Sequence, residues 1–169
     1  MTHHTKVSNT VGVVRASPLV QVKTQILVRP NDLDSLGHVN NAVVLEYLEA
    51  GRWAWLSHNH LPRKGRIIPV VARIEIDYRR EILPPEVTVT TILEDAADVL
   101  TSSYVRFKCV FRQTVASEQE SASVLAIEAQ VQVAFVDVTD RGIRSLQDYL
   151  NQSTEESCAG LESFDGTKK

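Results

Sequence analysis

Along residues 20–28 apolar and polar positions alternate, with Val22, Thr24, Ile26 and Val28 on one side and Lys23, Gln25 and Leu27 on the other. This period of two predicts a β-strand. After a polar stretch the period changes: between residues 42 and 57, Val44, Leu48, Gly51 or Arg52, and Trp55 recur at helical spacing, the pattern of a helix with one apolar stripe. Asn40 or Asn41 is placed to cap its N-terminus, and Pro62 follows an expected end at residues 58–60. Alternation then returns in four segments, 70–79, 86–94, 102–112 and 124–136. In the third, Val105, Phe107, Cys109 and Phe111 point inward and Tyr104, Arg106, Lys108 and Arg112 outward; in the fourth, Ile127, Ala129, Val131, Val133 and Phe135 form the inner row. One helix after the first strand, then four strands with short connections, gives an α+β fold with an antiparallel sheet packed on a helix. The edges of such a sheet invite pairing with a second copy, so a homodimer is expected.

Composition narrows the class. The 169 residues carry 18 Lys+Arg against 21 Asp+Glu, a formal net charge of −3, and 43% are hydrophobic, as in one ordinary soluble domain. A chain of this length buries roughly 68–70% of its unfolded surface and needs neither disulfides nor a structural metal to fold. Cys109 and Cys158 show no paired spacing, which favours a reducing compartment. The absence of a long basic run argues against a nucleic-acid partner. No apolar stretch is long enough for a membrane span and the N-terminus lacks a signal-peptide pattern, so a cytoplasmic location is expected. Lys6, Arg15, Lys23 and Arg29 precede the first acidic residue, Asp32, in faint likeness to a transit peptide; a short unstructured leader is the preferred reading. The expected organisation is a leader at 1–18, a single domain at 19–152 and a disordered tail at 153–169.

The dense polar run from Arg29 to Asn41 sits between the first strand and the helix, where function often resides. Asp32, Asp34 and Gly37 imitate the opening of an EF-hand loop, but Leu36 and Val43 occupy its fifth and twelfth positions, so calcium is not expected. A transition metal on His38 and one Asp lacks a third ligand. Turn and cap chemistry accounts for Asn31, Ser35 and Gly37, and for Asp32 as a cap or a partner of Arg29. A third reading places a carboxylate beside the helix N-terminus at residues 40–42, where free backbone N–H groups bind a developing oxyanion, as acyl transfer requires.

The run Asp32-x-Asp34-x-x-Gly37-His38-Val39-Asn40-Asn41, followed by Glu46-Tyr47-Leu48-Glu49-x-x-Arg52, resembles the signature of hotdog-fold thioesterases, nearest the 4-hydroxybenzoyl-CoA thioesterase-like group with its acyl-CoA and acyl-carrier-protein thioesterases. Residues 74–78 and Phe135-Val136-Asp137 with Arg141 add weaker support. The resemblance implies a long central helix wrapped by an antiparallel sheet of five or more strands, and a homodimer or homotetramer with its site at a subunit interface. It implies Asp34 as nucleophile or general base, the N–H near Asn41 as the carbonyl-polarising group, and His38 and Asn40 as orienting residues. Relatives carry Tyr where this chain has Val44, so the contact of that phenol is lost and a different or wider acyl pocket is expected. The substrate implied is an acyl-CoA or acyl-carrier-protein thioester, with no metal and no cofactor. A non-catalytic acyl-thioester binding module and a hotdog dehydratase using His38 are the alternatives.

Other polar residues have plainer readings. Glu49 and Arg52 are expected to form an i,i+3 ion pair on the helix, and His58 and His60 to sit at its C-terminus. Trp53 and Trp55 cannot both face inward. Arg63, Lys64, Arg66, Arg73, Arg79 and Arg80 form a modest basic population able to meet the phosphates of coenzyme A or an acidic carrier, with solvated surface as the default.

Overall fold

A computed structural model describes residues 19–94, 109–119 and 122–159, with side chains through residue 152. The expected leader therefore lies outside the described residues. The first strand, β1 (Val22–Leu27), alternates half-buried and exposed positions as its sequence dictates. A 3-10 turn at Pro30–Asp32 leads to α1 (Asn41–His58), 18 residues and thus ~27 Å long. Every residue expected on its apolar stripe is buried, including both alternatives, Gly51 and Arg52. Of the two possible caps the structure uses Asn40.

Four long strands follow: β2 (Ile67–Tyr78), β3 (Glu86–Glu94), β4 (Cys109–Gln119) and β5 (Ala122–Asp137). A short β6 (Ile143–Arg144) precedes α2 (Leu146–Ala159). The strands form one six-stranded sheet in the order β1-β3-β4-β5-β2, with β6 on β5, and all pairs are antiparallel. Helix α1 packs across β1, β3 and β4. Its N-terminal half meets Val87, Val89, Val115 and Ile127 in one core cluster, and Trp55 and Leu56 meet Phe111, Val131, Val133 and Phe135 in another.

Two expectations are corrected here. The strand placed at 102–112 is described from Cys109 and runs to Gln119, with residues 102–108 outside the described set. Cys109 and Phe111 point inward as expected, but the inward row continues through Gln113, Val115 and Ser117, whose polar members broke the sequence pattern. The tail expected from residue 153 begins as helix instead, because α2 runs to Ala159 and is anchored by Leu146 and Tyr149, 5% and 1% exposed.

Candidate active site

The two aspartates of the loop have opposite environments. Asp32, 1% exposed, accepts the backbone N–H of Arg29 at 2.9 Å, the Arg29 guanidinium Nε at 3.0 and 3.2 Å, and the Tyr47 hydroxyl at 2.6 Å. The Arg29 guanidinium, against the opposing effect of burial and with help from the Tyr47 phenol, holds its carboxyl at about 2. Asp32 is thus spent on fastening the loop to α1.

Asp34 faces outward. Its Oδ1 accepts the N–H groups of Leu36 at 2.8 Å and His38 at 3.1 Å, while its own N–H donates to the His38 carbonyl at 2.8 Å. Gly37 closes this turn at φ +81°, where a Cβ is penalised, and donates to the Asp34 carbonyl at 3.1 Å. Oδ2 accepts no hydrogen bond among the described residues, so one carboxylate oxygen is pinned and the other is free. The backbone bonds from His38 and then Leu36 lower the pKa, leaving Asp34 ionised at neutral pH.

Helix α1 begins beside it. Asn40 Oδ1 accepts the Ala42 N–H at 2.9 Å, and the Asn40 carbonyl accepts from Val43 at 2.9 Å and Val44 at 3.3 Å. Of the first four helical N–H groups, only that of Asn41 has no acceptor among the described residues. It is the open donor at the positive end of the helix.

A cleft of about 660 Å³ has Asp34, His38, Asn41 and Val44 among its lining residues, so four of the five residues singled out from the motif meet there. Asn40 does not line the cleft, since its side chain is turned to the cap. Val44, 1% exposed, lines the cleft together with the buried Ile127 and Val39. The opposite wall was not anticipated from the loop. Tyr78, at the end of β2, donates its hydroxyl to the Asn41 carbonyl at 3.3 Å, and Glu81 Oε2 lies 3.3 Å from His38 Nε2. Arg79 and Arg80 also line it, Arg79 being paired with Glu128. Tyr78, Arg80 and Glu81 lie 44 to 47 positions from Asp34 in sequence, and the course of β2 and the bond from the Val39 N–H to the Ile82 carbonyl (3.0 Å) bring them across.

The expected ion pair on α1 is also corrected. Arg52 is 8% exposed and donates from a terminal nitrogen to Gln113 Oε1 at 2.9 Å, while Glu49 stays exposed and acts on it only as a nearby charge. Trp55 is the inward tryptophan, edge-on to Phe111 at 4.9 Å between ring centroids, and Trp53 lies under the Arg63 guanidinium at 5.1 Å.

Residues 28–157 match the family model of the thioesterase-like superfamily, and the chain belongs to that family. A 77-residue stretch is 40% identical to the long-chain acyl-CoA thioesterase FadM of Escherichia coli (strain K12), covering 43% of this chain and 58% of FadM, less than two thirds of that relative. The structure of YbaW, described as a probable thioesterase from Escherichia coli, superposes with a TM-score of 0.57 at 27% identity over 79% of this chain and 96% of that one. A 4-hydroxybenzoyl-CoA thioesterase mutant crystallised with 4-hydroxybenzoyl-CoA superposes at 0.62 with 14% identity, over 78% and 96% of the two chains, and shows the common fold. The antiparallel multi-strand sheet with its few helices is consistent with the hotdog fold of these neighbours. No helix among the described residues is long and apolar enough to cross a membrane.

Proposed function

We propose that this protein is a thioesterase that hydrolyses an acyl-CoA to the free acid and coenzyme A. The observation that carries the reading is the pairing, in one cleft, of an ionised Asp34 with one unpartnered oxygen and an α1 N-terminus whose Asn41 N–H has no acceptor among the described residues. A thioester is an activated ester, so a carboxylate, a water and an oxyanion donor suffice. In one route Asp34 Oδ2 bonds to the thioester carbon and the carbonyl electron pair moves onto the oxygen held by Asn41 N–H. Return of that pair breaks the C–S bond, the thiolate takes up a proton, and water hydrolyses the mixed anhydride. In the other route Asp34 removes a proton from the water that attacks the same carbon. Both place the transition-state charge at the same donor. His38, held by Glu81, orients substrate or water on the facing wall, and the small Val44 leaves room in the cleft for the acyl group. The open edges of the sheet, β1 and β2, are where pairing with a second copy would occur.

The test is thiol release from aliphatic and aromatic acyl-CoAs and acyl-carrier proteins, with wild type beside Asp34→Asn and Asp34→Ala. Both variants are expected to fold, because Asp34 is exposed, and to lose about 10²–10⁴-fold in kcat. Since the Asp34 pKa is lowered, the wild-type rate should show no fall from this group between neutral pH and pH 5. Unchanged turnover in both variants would remove Asp34 from the mechanism; tight binding without turnover by wild type would make the protein an acyl-thioester binding module.

A further inference from the structure

Hydrolysis through a mixed anhydride needs one more group than the first attack does. While the acyl group is bonded to Asp34 Oδ2, that carboxylate is consumed and cannot take the proton of the water that attacks next. A second base in the same cleft keeps this half of the reaction fast. His38 lines the cleft and is tied to both of its walls. Its backbone holds Asp34, the N–H reaching Oδ1 at 3.1 Å and the carbonyl accepting the Asp34 N–H at 2.8 Å. Its ring meets the facing wall, with Nε2 3.3 Å from Glu81 Oε2. The bond from the Val39 N–H to the Ile82 carbonyl, 3.0 Å long, fixes the register of the two segments one residue beyond each member of this pair. His38 Nδ1 has no partner among the described residues, and neither has Asp34 Oδ2, so the cleft holds two unspent proton acceptors on residues four positions apart. The backbone bonds from His38 and Leu36 lower the Asp34 pKa most, and a charge on the His38 ring lowers it further, as expected of a ring close to the carboxylate.

We propose that His38 is the base for the second half of the reaction and that Glu81 is the residue that positions its ring. The inference rests on the thioesterase reading and selects the anhydride route within it. The Glu81 carboxylate keeps the ring proton on Nε2, which leaves the Nδ1 lone pair as the acceptor. The water oxygen bonds to the acyl carbon and one water proton passes to Nδ1. The C–O bond to Asp34 then breaks, its electron pair returns to the carboxylate, and the free acid leaves. The imidazolium, facing Glu81, gives its extra proton to solvent and the pair is restored.

The test mixes the full chain with octanoyl-CoA or benzoyl-CoA, follows thiol release from the first turnover, and weighs acid-quenched protein intact by mass spectrometry. His38→Gln is expected to release about one thiol per chain in a burst and then to turn over about 10²-fold more slowly than wild type, with one acyl group held covalently. Asp34→Asn should hold none. Glu81→Ala should keep the burst and slow the steady state about fivefold, the scale of one exposed charge contact. Glu81→Gln, which keeps an acceptor oxygen at the same reach, should recover most of that loss, whereas a role in folding alone would lower burst and steady state together. Glu81 is 69% exposed, so its variants test the pair even where His38→Gln disturbs the loop. Wild-type turnover with neither burst nor acylated chain in His38→Gln would overturn the inference and leave the thioesterase reading standing, with Asp34 as the base. A steady state in Glu81→Ala equal to that of wild type would overturn the positioning role. No thiol release by wild type would overturn both readings.

Discussion

Asp32 and Asp34 stand two positions apart and could have exchanged roles on composition alone, yet their surroundings separate them completely. The partnership of Asp32 with Arg29 was readable as an i,i+3 contact, whereas its bond to Tyr47 depends on where α1 comes to lie. Its carboxyl sits at about 2 in the folded chain against an ordinary 3.8, so the charged form binds the fold more tightly than the protonated form. That stabilisation is present above pH ~4 and is lost as the pH falls toward 2, and it amounts to about 2 kcal/mol. Asp32→Asn is therefore expected to lower the unfolding free energy at pH 7 by about that amount and to flatten its decline between pH 4 and 2. Urea titrations at stepped pH check both. An unaltered pH slope in the variant would mean that other carboxylates govern acid unfolding. Asp34 keeps an unpartnered oxygen because its turn consumes only Oδ1, a detail of hydrogen-bond direction that no spacing rule reveals.

At the scale of one element, the stripe on α1 was legible because Val44, Leu48 and Trp55 obey the helical period. What escaped was how closely the helix approaches the sheet. A Cβ built on Gly51 would lie 2.6 Å from Val89 Cγ1, 2.9 Å from Thr91 Oγ1 and 3.0 Å from Gln113 Nε2. The glycine thus lets the backbone of α1 rest directly on β3 and β4. Gln113 exploits that approach by donating to the Leu48 carbonyl and to Thr91 Oγ1, both at 2.8 Å, and it draws the neighbouring Arg52 inward, away from Glu49. The local i,i+3 rule failed for Arg52 because a buried acceptor on a strand 61 residues away outcompeted a solvated carboxylate one turn back. Gly51→Ala sets two effects against each other, a gain of ~1 kcal/mol in helix propensity and an overpacking cost of about 1–3 kcal/mol against stiff Val89. Net destabilisation of about 1 kcal/mol is expected, seen as a lower urea midpoint with unchanged slope. A raised midpoint would show that the helix can lift from the sheet without loss.

Across the whole molecule, the C-terminal segment closes the second core cluster. Tyr149 stacks on Phe135 with ring centroids 4.6 Å apart and donates its hydroxyl to the Pro62 carbonyl at 2.6 Å. Gln152 brackets the start of β2, accepting the Ile67 N–H at 2.8 Å and donating to its carbonyl at 2.6 Å. Asp137, fully buried, accepts the Thr139 N–H and the Arg66 Nε at 2.9 Å each and Arg144 at 3.0 Å, joining the end of β5 to the entry of β2 and to β6. Truncating Tyr149 to alanine should cost about 3 kcal/mol and expose the Ile67 amide to hydrogen exchange, while thiol release at the distant Asp34 cleft persists below the new melting temperature. Protection at Ile67 unchanged in the variant would mean that α2 is an ornament on a core complete without it. From residue 153 the sequence reads as tail because its few apolar anchors lie earlier, at Leu146 and Tyr149, and a helix held by two such contacts carries little of the pattern that periodicity detects. Short-range physics, acting between residues a few positions apart, was enough to place the first strand, the strands at 70–79, 86–94 and 124–136, helix α1 and the loop with Asp34, and to narrow the cap to Asn40 or Asn41, because alternation, helical period and turn chemistry are local properties of the chain. The facing wall of Tyr78 and Glu81, the inward turn of Arg52 and the use of Asp32 as a fastener arise from contacts across the sheet and helix, where burial and hydrogen-bond geometry choose among partners that the linear order leaves equal.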